Sequence, residues 1–391
     1  MQASRLMSWQ QHPWHSKKPR SYRPAPPPMV PRIARSYEPI AKIPLERTSY
    51  PANIDSVAPT LDDLSLCQGL FANETNFSSK TACDIFDLHE DGTGTWDCGV
   101  SDEKIVGYIE SFSKGQTVKL RDIFCTLRRQ AGTSFGFQQL LTRSTLKSLL
   151  TTWRVSPHFL PLTLGEPDYW APLDIHNKTN GMGQFICQYP RYNIHVRQQT
   201  CSVYMGYDPD EARTTYIVAS GEQERYVERT KSRLRDYFTS SAASPSLATA
   251  QIEDPFLLQS ILCHESMVDG KDIITDLRYR LYDQLDIVGE YAKEPFDRSD
   301  LREMTNTLHK TSQDADSLFA STQMRTMIAQ AVFRARQRTL RLSSGAFASS
   351  NVGDALVYIV ESLRAQQRWL QLPIQEGHRH EPRLQLGDSA R

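Results

Sequence analysis

Between Leu301 and Val332, alternating steps of three and four residues visit Leu301, Met304, Leu308, Thr311, Ala315, Leu318, Thr322, Arg325, Ala329 and Val332, and seven of these ten are apolar. A stripe with that period runs along one face of an α-helix and sets a weak coiled-coil seam. Asp300 and Glu303 stand at capping-box spacing at its start. Arg334, Arg336, Arg338 and Arg341 crowd its end, where the helix dipole favours cations. The spacing predicts one helix from Asp300 to about Leu342, roughly 60 Å long at 1.5 Å per residue.

Helices flank it on both sides. Asp254 as N-cap and Pro255 at the first position open a helix with Leu257, Leu258, Ile261 and Leu262 on one stripe. Asp269-Gly270 separates it from a second helix carrying Ile274, Leu277, Leu281, Leu285 and Val288, which Pro295 ends. After Ser349 or Ser350 a last helix is expected to run to Leu372, with Val352, Leu356, Ile359, Leu363 and Leu370 inward and Pro373 as its stop. Residues 251–372 thus form a long-helix region, and 373–391 a polar tail.

Residues 1–60 cannot join this pattern. Eleven prolines fall between Pro13 and Pro59, and each removes a backbone donor and fixes φ. A disordered arm is expected there. Its first 37 residues hold seven basic residues and no acid, as a mitochondrial presequence does, but the prolines oppose the amphipathic helix that targeting needs. Pro24 with Pro27, and Pro28 with Pro31, also fit the Pro-x-x-Pro pattern of aromatic-groove ligands.

Residues 61–250 read as mixed α/β. Lys119 to Gln130 is expected to be a helix, with Leu120, Ile123, Phe124 and Leu127 on one face, and Phe137 to Leu150 another. Strands are expected at Gln184–Tyr189, Ser202–Tyr207 and Thr214–Ala219, where β-branched and aromatic residues lie between turn formers. Glu222 to Phe238 reads as a charged, exposed helix, and 239–250 as a Ser/Ala-rich linker. The fold class expected is α+β: a small mixed α/β layer followed by a long-helix bundle.

Lys plus Arg and Asp plus Glu number 45 each, so no global field draws the chain to nucleic acid or anionic lipid. Seven cysteines without Cys-x-x-Cys spacing point to reduced thiols, neither a zinc site nor a disulfide framework. No run of about 18 apolar residues offers a spanning helix, and Leu149 to Leu164 is interrupted by Arg154, Pro157, His158 and Pro161. A cytoplasmic protein, at most peripheral to a membrane, is the expectation.

Chemistry-bearing patterns are sparse. Gly132-Thr133-Ser134-Phe135-Gly136 matches Gly-x-Ser-x-Gly, but a nucleophile elbow needs a strand before Ser134 and a helix after it, and a helix is expected before it. Asp87, His89, Asp91 and Gly92 imitate the start of a calcium loop, yet Cys98 stands where a bidentate Glu is required. His378 and His380 offer only two nearby imidazoles, and His195, His264 and His309 are isolated. The paired acids Asp283/Asp286 and Asp314/Asp316 lie on expected helices. At an oligomer interface their carboxylates could hold a divalent cation; on a monomer they are solvated charges.

The succession of segments resembles a family. Ile252-Glu253-Asp254-Pro255-Phe256 and His264-Glu265-Ser266 are followed by Arg278-Tyr279-Arg280-Leu281-Tyr282-Asp283-Gln284-Leu285-Asp286. Leu308-His309, Gln313-Asp314-Ala315-Asp316 and Gln366-Gln367-Arg368-Trp369-Leu370 come next, and Thr48 to Asn53 resembles the start of the same soluble region. Together they look like the fungal CorA-like (magnesium) transporter domain over about 120 residues. The resemblance implies a soluble α/β layer, long helices, a two-span membrane hairpin and an oligomer around a magnesium path. That family's Gly-Met-Asn pore signature is only imitated by Asn180-Gly181-Met182-Gly183, and Leu372-Pro373 leads into polar residues. The chain is therefore expected to be a non-conducting cytosolic domain of this type, forming a homo-oligomer or joining a full-length relative, with Mg2+ at an interface as the one cofactor considered. A free-standing helical interaction scaffold is the alternative, and a hydrolase using Ser134 a third.

Overall fold

The structure is a computed structural model that describes residues 50–52, 63–111, 117–167, 170–176, 182–191, 200–239, 253–291, 298–343, 347 and 349–379. All of the proline-rich arm but residues 50–52, the linker 240–250, Asn180-Gly181, His195, His380 and the chain beyond Arg379 lie outside them.

Eight strands make one mixed sheet: β1 (Cys83–His89), β2 (Gly94–Val100), β3 (Val118–Arg129), β4 (Phe137–Gln139), β5 (Leu173–His176), β6 (Gly183–Tyr189), β7 (Cys201–Asp208) and β8 (Arg213–Gly221). Their order is β2-β1-β3-β8-β7-β6-β5, with β4 pairing the end of β3. The β3–β8 pair is parallel and the others antiparallel. The strands expected at Gln184, Ser202 and Thr214 are β6, β7 and β8.

Two rows of side chains across the sheet define its faces. Trp96, Phe86, Asp122, Tyr216, Met205 and Phe185 stand side by side on six successive strands. One residue along, Ile85, Ile123, Ile217, Tyr204 and Ile186 form the opposite row. Side chains alternate faces with a period of two, so the two rows feed different cores. The isoleucine row packs with α1 (Leu64–Ala72), α2 (Asp102–Ser111), α3 (Arg143–Thr152) and α4 (Phe159–Thr163). The aromatic row packs with α5 (Arg225–Thr239), α6 (Leu257–Tyr291), α7 (Arg298–Leu342) and α8 (Val352–Arg379). The result is an α+β fold in which one apolar core runs without interruption from the sheet into the long helices, and the described residues belong to one compact unit.

Several expectations need correction. Lys119 to Gln130 is not a helix but strand β3. Leu120 and Phe124 enter one core while Ile123 and Cys125 enter the other, so the strand is apolar on both sides. A doubly buried strand shows no alternation, and its run of apolar residues also satisfies helical spacing. Phe137 to Gln139 is likewise strand, and the helix after it starts at Arg143, where Thr142 Oγ1 accepts the Thr145 N–H. Asp269-Gly270 does not separate two helices: α6 runs through both for 35 residues. An interior glycine weakens a helix by only about 1 kcal/mol, which surrounding packing offsets here. Nor does Pro373 end the last helix, whose backbone continues to Arg379. Finally, α5 is not an exposed helix, because Tyr226, Val227, Leu234 and Phe238 are buried.

The long helix itself is as expected, 45 residues from Arg298, about 67 Å at the standard rise. Leu318, Ala329 and Val332 of its seam are buried, while Leu301, Met304 and Leu308 are half-buried. Burying Leu318 or Val332 contributes about 1.5–3 kcal/mol each. The two seam threonines are tolerated because their hydroxyls return to the helix: Thr311 donates to Thr307 O at 2.9 Å and Thr322 to Leu318 O at 2.7 Å. Antiparallel α8 is tied to both neighbours, through Gln366 Nε2 to Met267 O at 3.1 Å and Gln367 Nε2 to Thr326 Oγ1 at 2.7 Å. Among the described residues no helix is long and apolar enough to cross a membrane.

Asp254 joins these parts. Its Oδ1 accepts the Phe256 N–H at 3.0 Å, capping α6, and its Oδ2 accepts Arg336 Nε of α7 at 2.7 Å. Arg336 also reaches the Phe347 and Ser350 carbonyls in the turn to α8 and lies over the Phe347 ring. The Tyr216 hydroxyl of β8 donates to Pro255 O, so the sheet meets the helices at the same point.

One buried group works against stability. Asp122, in the aromatic row, is fully buried, and neither carboxyl oxygen has a hydrogen-bond partner. Burial first, and then the charge of Asp87, push its pKa well above the usual aspartate range. Below that range the folded and unfolded chains both hold the proton. Above it only the unfolded chain gives the proton up, so stability falls with rising pH until the folded pKa is reached. Asp122→Asn should therefore be more stable than the parent at pH 7. Its advantage in urea unfolding should grow by about 1.4 kcal/mol per pH unit above the ordinary aspartate range. A constant difference from pH 4 to pH 7 would show that Asp122 ionises in the folded chain.

Candidate functional site

The patterns singled out in the sequence are distributed over the fold, and most are absorbed by local structure. Ser134 lies in the loop between β3 and β4, a strand–loop–strand hairpin without the helix that an elbow requires. Its hydroxyl accepts from Asn73 Nδ2 at 3.3 Å and Asn76 Nδ2 at 3.0 Å, and its N–H donates to Asn76 Oδ1 at 2.8 Å. The two flanking glycines have φ of +81° and +87°, which is why the loop carries glycine at both places. The Gly-x-Ser-x-Gly match is thus turn chemistry.

The apparent calcium loop is the end of β1 and its hairpin to β2. Asp87 is held by Arg121, with Nε to Oδ1 at 2.6 Å and Nη2 to Oδ2 at 2.5 Å, both residues buried. Asp91 closes the turn by accepting the Thr93 N–H and hydroxyl at 2.9 and 2.6 Å, which holds its carboxyl below the usual range. His264 faces Glu265, and His309 faces Gln313. All seven cysteines are unbridged, and six of them are buried.

The four helix carboxylates sit on an arm made by the C-terminal half of α6 and the N-terminal half of α7. Asp283, Asp286 and Asp316 are exposed. Asp314 accepts Arg280 Nη1 at 2.8 Å across the arm. Among the described residues no three His, Cys, Asp or Glu side chains converge to hold a metal ion. A cation bound by these acids would need ligands from a second molecule, since hard cations take six or more oxygens. On the same arm Tyr279, Tyr282 and Leu285 are 57, 51 and 53% exposed, respectively. These are large apolar or amphipathic side chains in succession along one helix, and a cluster of that kind marks an interaction surface more often than a neutral one.

At the other end of α6 stands an ion-pair ladder that depends on two distant segments. Arg225, Arg229 and Arg233 of α5 recur every four residues, and Glu265, Asp269 and Asp272 answer them on antiparallel α6. Arg229 pairs with Asp269 at 2.9 Å, Glu265 at 3.2 Å and Asp272 at 3.3 Å. Arg225 bridges Asp269 and Asp272, and Arg233 pairs with Glu265. Glu265 and Asp269 are each 2% exposed, so these pairs are partly desolvated. Glu224, at the entrance of α5, is pushed up to about 7, mainly by burial and then by Asp269. The arginine period of four was visible in the sequence, but nothing marked which acids would meet it.

Beside the ladder, α5, α6 and α8 enclose a cleft of about 450 Å³, walled by Phe238, Leu257, Ile261 and Val352. That volume suits a small molecule. Two of its polar groups are engaged within the fold, Ser260 Oγ donating to Leu257 O at 2.7 Å and Arg233 pairing with Glu265.

A scan against protein-family models matches no family to this chain, and a search of curated proteins matches none of them to it.

The ladder should dominate the attachment of α5. Arg229→Met leaves Glu265 and Asp269 with fewer counter-charges in a buried setting and should cost about 3 kcal/mol in urea unfolding. Arg233, whose side chain is 56% exposed, should cost under about 1 kcal/mol on the same change. Equal losses would show that the ladder acts as solvated surface charge.

Proposed function

We propose that the chain is an assembly domain of the type borne by CorA-like divalent-cation transporters. In this reading a sheet-anchored helical arm joins copies of the chain, or a full-length relative, and does not itself conduct. The observation that carries it is the arm: exposed Tyr279, Tyr282 and Leu285 stand beside Asp283 and Asp286, with Asp314 and Asp316 on the facing helix. Apolar contact supplies the association, and carboxylates crowded together by it supply the cation dependence, because their mutual repulsion is relieved by Mg2+. The order of segments noted above, from Asp254-Pro255 through Gln313-Asp314-Ala315-Asp316 to Trp369-Leu370, supports the same reading by resemblance.

Sedimentation velocity tests it. Mass should rise when millimolar Mg2+ is added, and the rise should disappear in an Asp283→Asn/Asp286→Asn variant that keeps its circular dichroism. A mass indifferent to Mg2+ would overturn the cation dependence. If that mass still fell on Tyr282→Ala, the arm would belong to a cation-independent scaffold instead.

A further inference from the structure

The exposed face of the α6 arm is complementary to itself. Relative to Tyr282, the residues on this face lie at positions minus and plus three, four and seven. Those spacings keep them on one side of a helix. A second copy laid antiparallel, with a two-fold axis at Tyr282, brings each position opposite its mirror position. Tyr279 then meets Leu285 of the second copy, and Tyr282 meets its own counterpart. Arg278 meets Asp286, and Thr275 meets Gly289, two small residues that let the helices approach at the ends. Because the arrangement is symmetric, every contact occurs twice.

The state of each group in the single chain fits this pairing. Tyr279, Tyr282 and Leu285 are about half exposed, and space is open beside Gly289. The seam with α7 uses the neighbouring face, where Leu277 is buried and Leu281 half-buried, so docking on the exposed face leaves the arm intact. Arg278 is half-buried and lies over the Tyr279 ring at 5.5 Å, and no ion pair within the described residues holds its guanidinium. Asp286 is exposed and carries no ion pair among the described residues. A cation and an anion therefore flank an apolar centre, in mirror positions.

We propose that this face is a two-fold, antiparallel self-association surface, and that a second copy of this chain is its occupant. The charge pattern selects that partner: an unrelated apolar helix would leave Arg278 and Asp286 unmatched, whereas a second copy matches both twice. The same pattern disfavours parallel pairing, which would set Arg278 against Arg278 and Asp286 against Asp286. The face spans about 21 Å of helix. Two helices touching over that length bury less than the roughly 1,200 Å² of a standard interface, so the dimer is weak, in the micromolar range or above. The inference uses no cation and does not rest on the transporter-type reading.

The test uses the full chain in the presence of chelator, so that magnesium plays no part. Sedimentation equilibrium at about 100 µM should show a monomer–dimer equilibrium, a concentration chosen for a weak interface. Arg278→Asp and Asp286→Arg should each weaken it at least ten-fold, and the double exchange should restore it to within a few-fold of the parent. In a Cys98→Ser background, which leaves the buried cysteines alone, Y282C should cross-link two chains under mild oxidant. I287C, on a different side of α6, should not. A chain that stays monomeric, a double exchange that fails to restore pairing while its circular dichroism is unchanged, or I287C cross-linking as fast as Y282C would each overturn the proposal. Protection of the face by the chain's own residues 372–391 would appear as the first of these results.

Discussion

The position of every long helix depends on the pair between Asp254 and Arg336. Asp254 is 0% exposed and begins α6; Arg336 is near the end of α7 and reaches the turn that begins α8. Taking both charges out of water is costly, and only good geometry repays it. The geometry helps: Oδ2 takes the guanidinium Nε–H, Oδ1 takes the Phe256 N–H, and the guanidinium Nη2 reaches two carbonyls. Such a pair adds little net stability over an apolar substitute, but half of it cannot be removed cheaply. It also leaves no room for error. A methyl group on Gly353 would meet Arg336 Nη1 at 2.7 Å, so a larger residue there would have to displace the guanidinium.

With its proximal end fixed, α6 has two regimes along its length. From Leu257 to Leu277 it lies between the sheet and its helical neighbours, held by the ladder from α5 and by the Gln366 bond from α8. Beyond Leu277 most of its large apolar side chains are exposed, and Arg280–Asp314 is a bond across the arm between partly exposed groups. Stability is local, so the distal arm opens at lower free energy than the sheet-bound segment. That gradient suits an element that must meet another surface while its base stays in place.

How far the sequence revealed this depended on the distance over which each feature is decided. The long helix was legible because its seam repeats within itself, and β6, β7 and β8 because aromatic and β-branched runs are bounded by turn formers. Strand β3 was not, since two cores claim alternate residues and erase the period of two. Gly270 looked like a break because its packing comes from other segments. Asp254 was recognisable as a cap, but its second role needs Arg336, 82 residues away, which among four arginines at a helix end looked like dipole complement alone. The candidate surface was half legible. Asp283 and Asp286 drew attention as acids, while the apolar stripe beside them looked like core until the fold left it uncovered.

If the Asp254–Arg336 pair positions the helices on the sheet, its two members must be strongly coupled. The direct measurement is a double-mutant cycle in urea unfolding with Asp254→Asn, Arg336→Met and the combined variant. Each single change should destabilise by about 3 kcal/mol, because it strands the other partner in a buried site, and the double variant should recover part of that loss, giving a coupling of about 2 kcal/mol. A coupling within about 0.5 kcal/mol of zero is what independent, non-interacting sites give, and it would contradict the account.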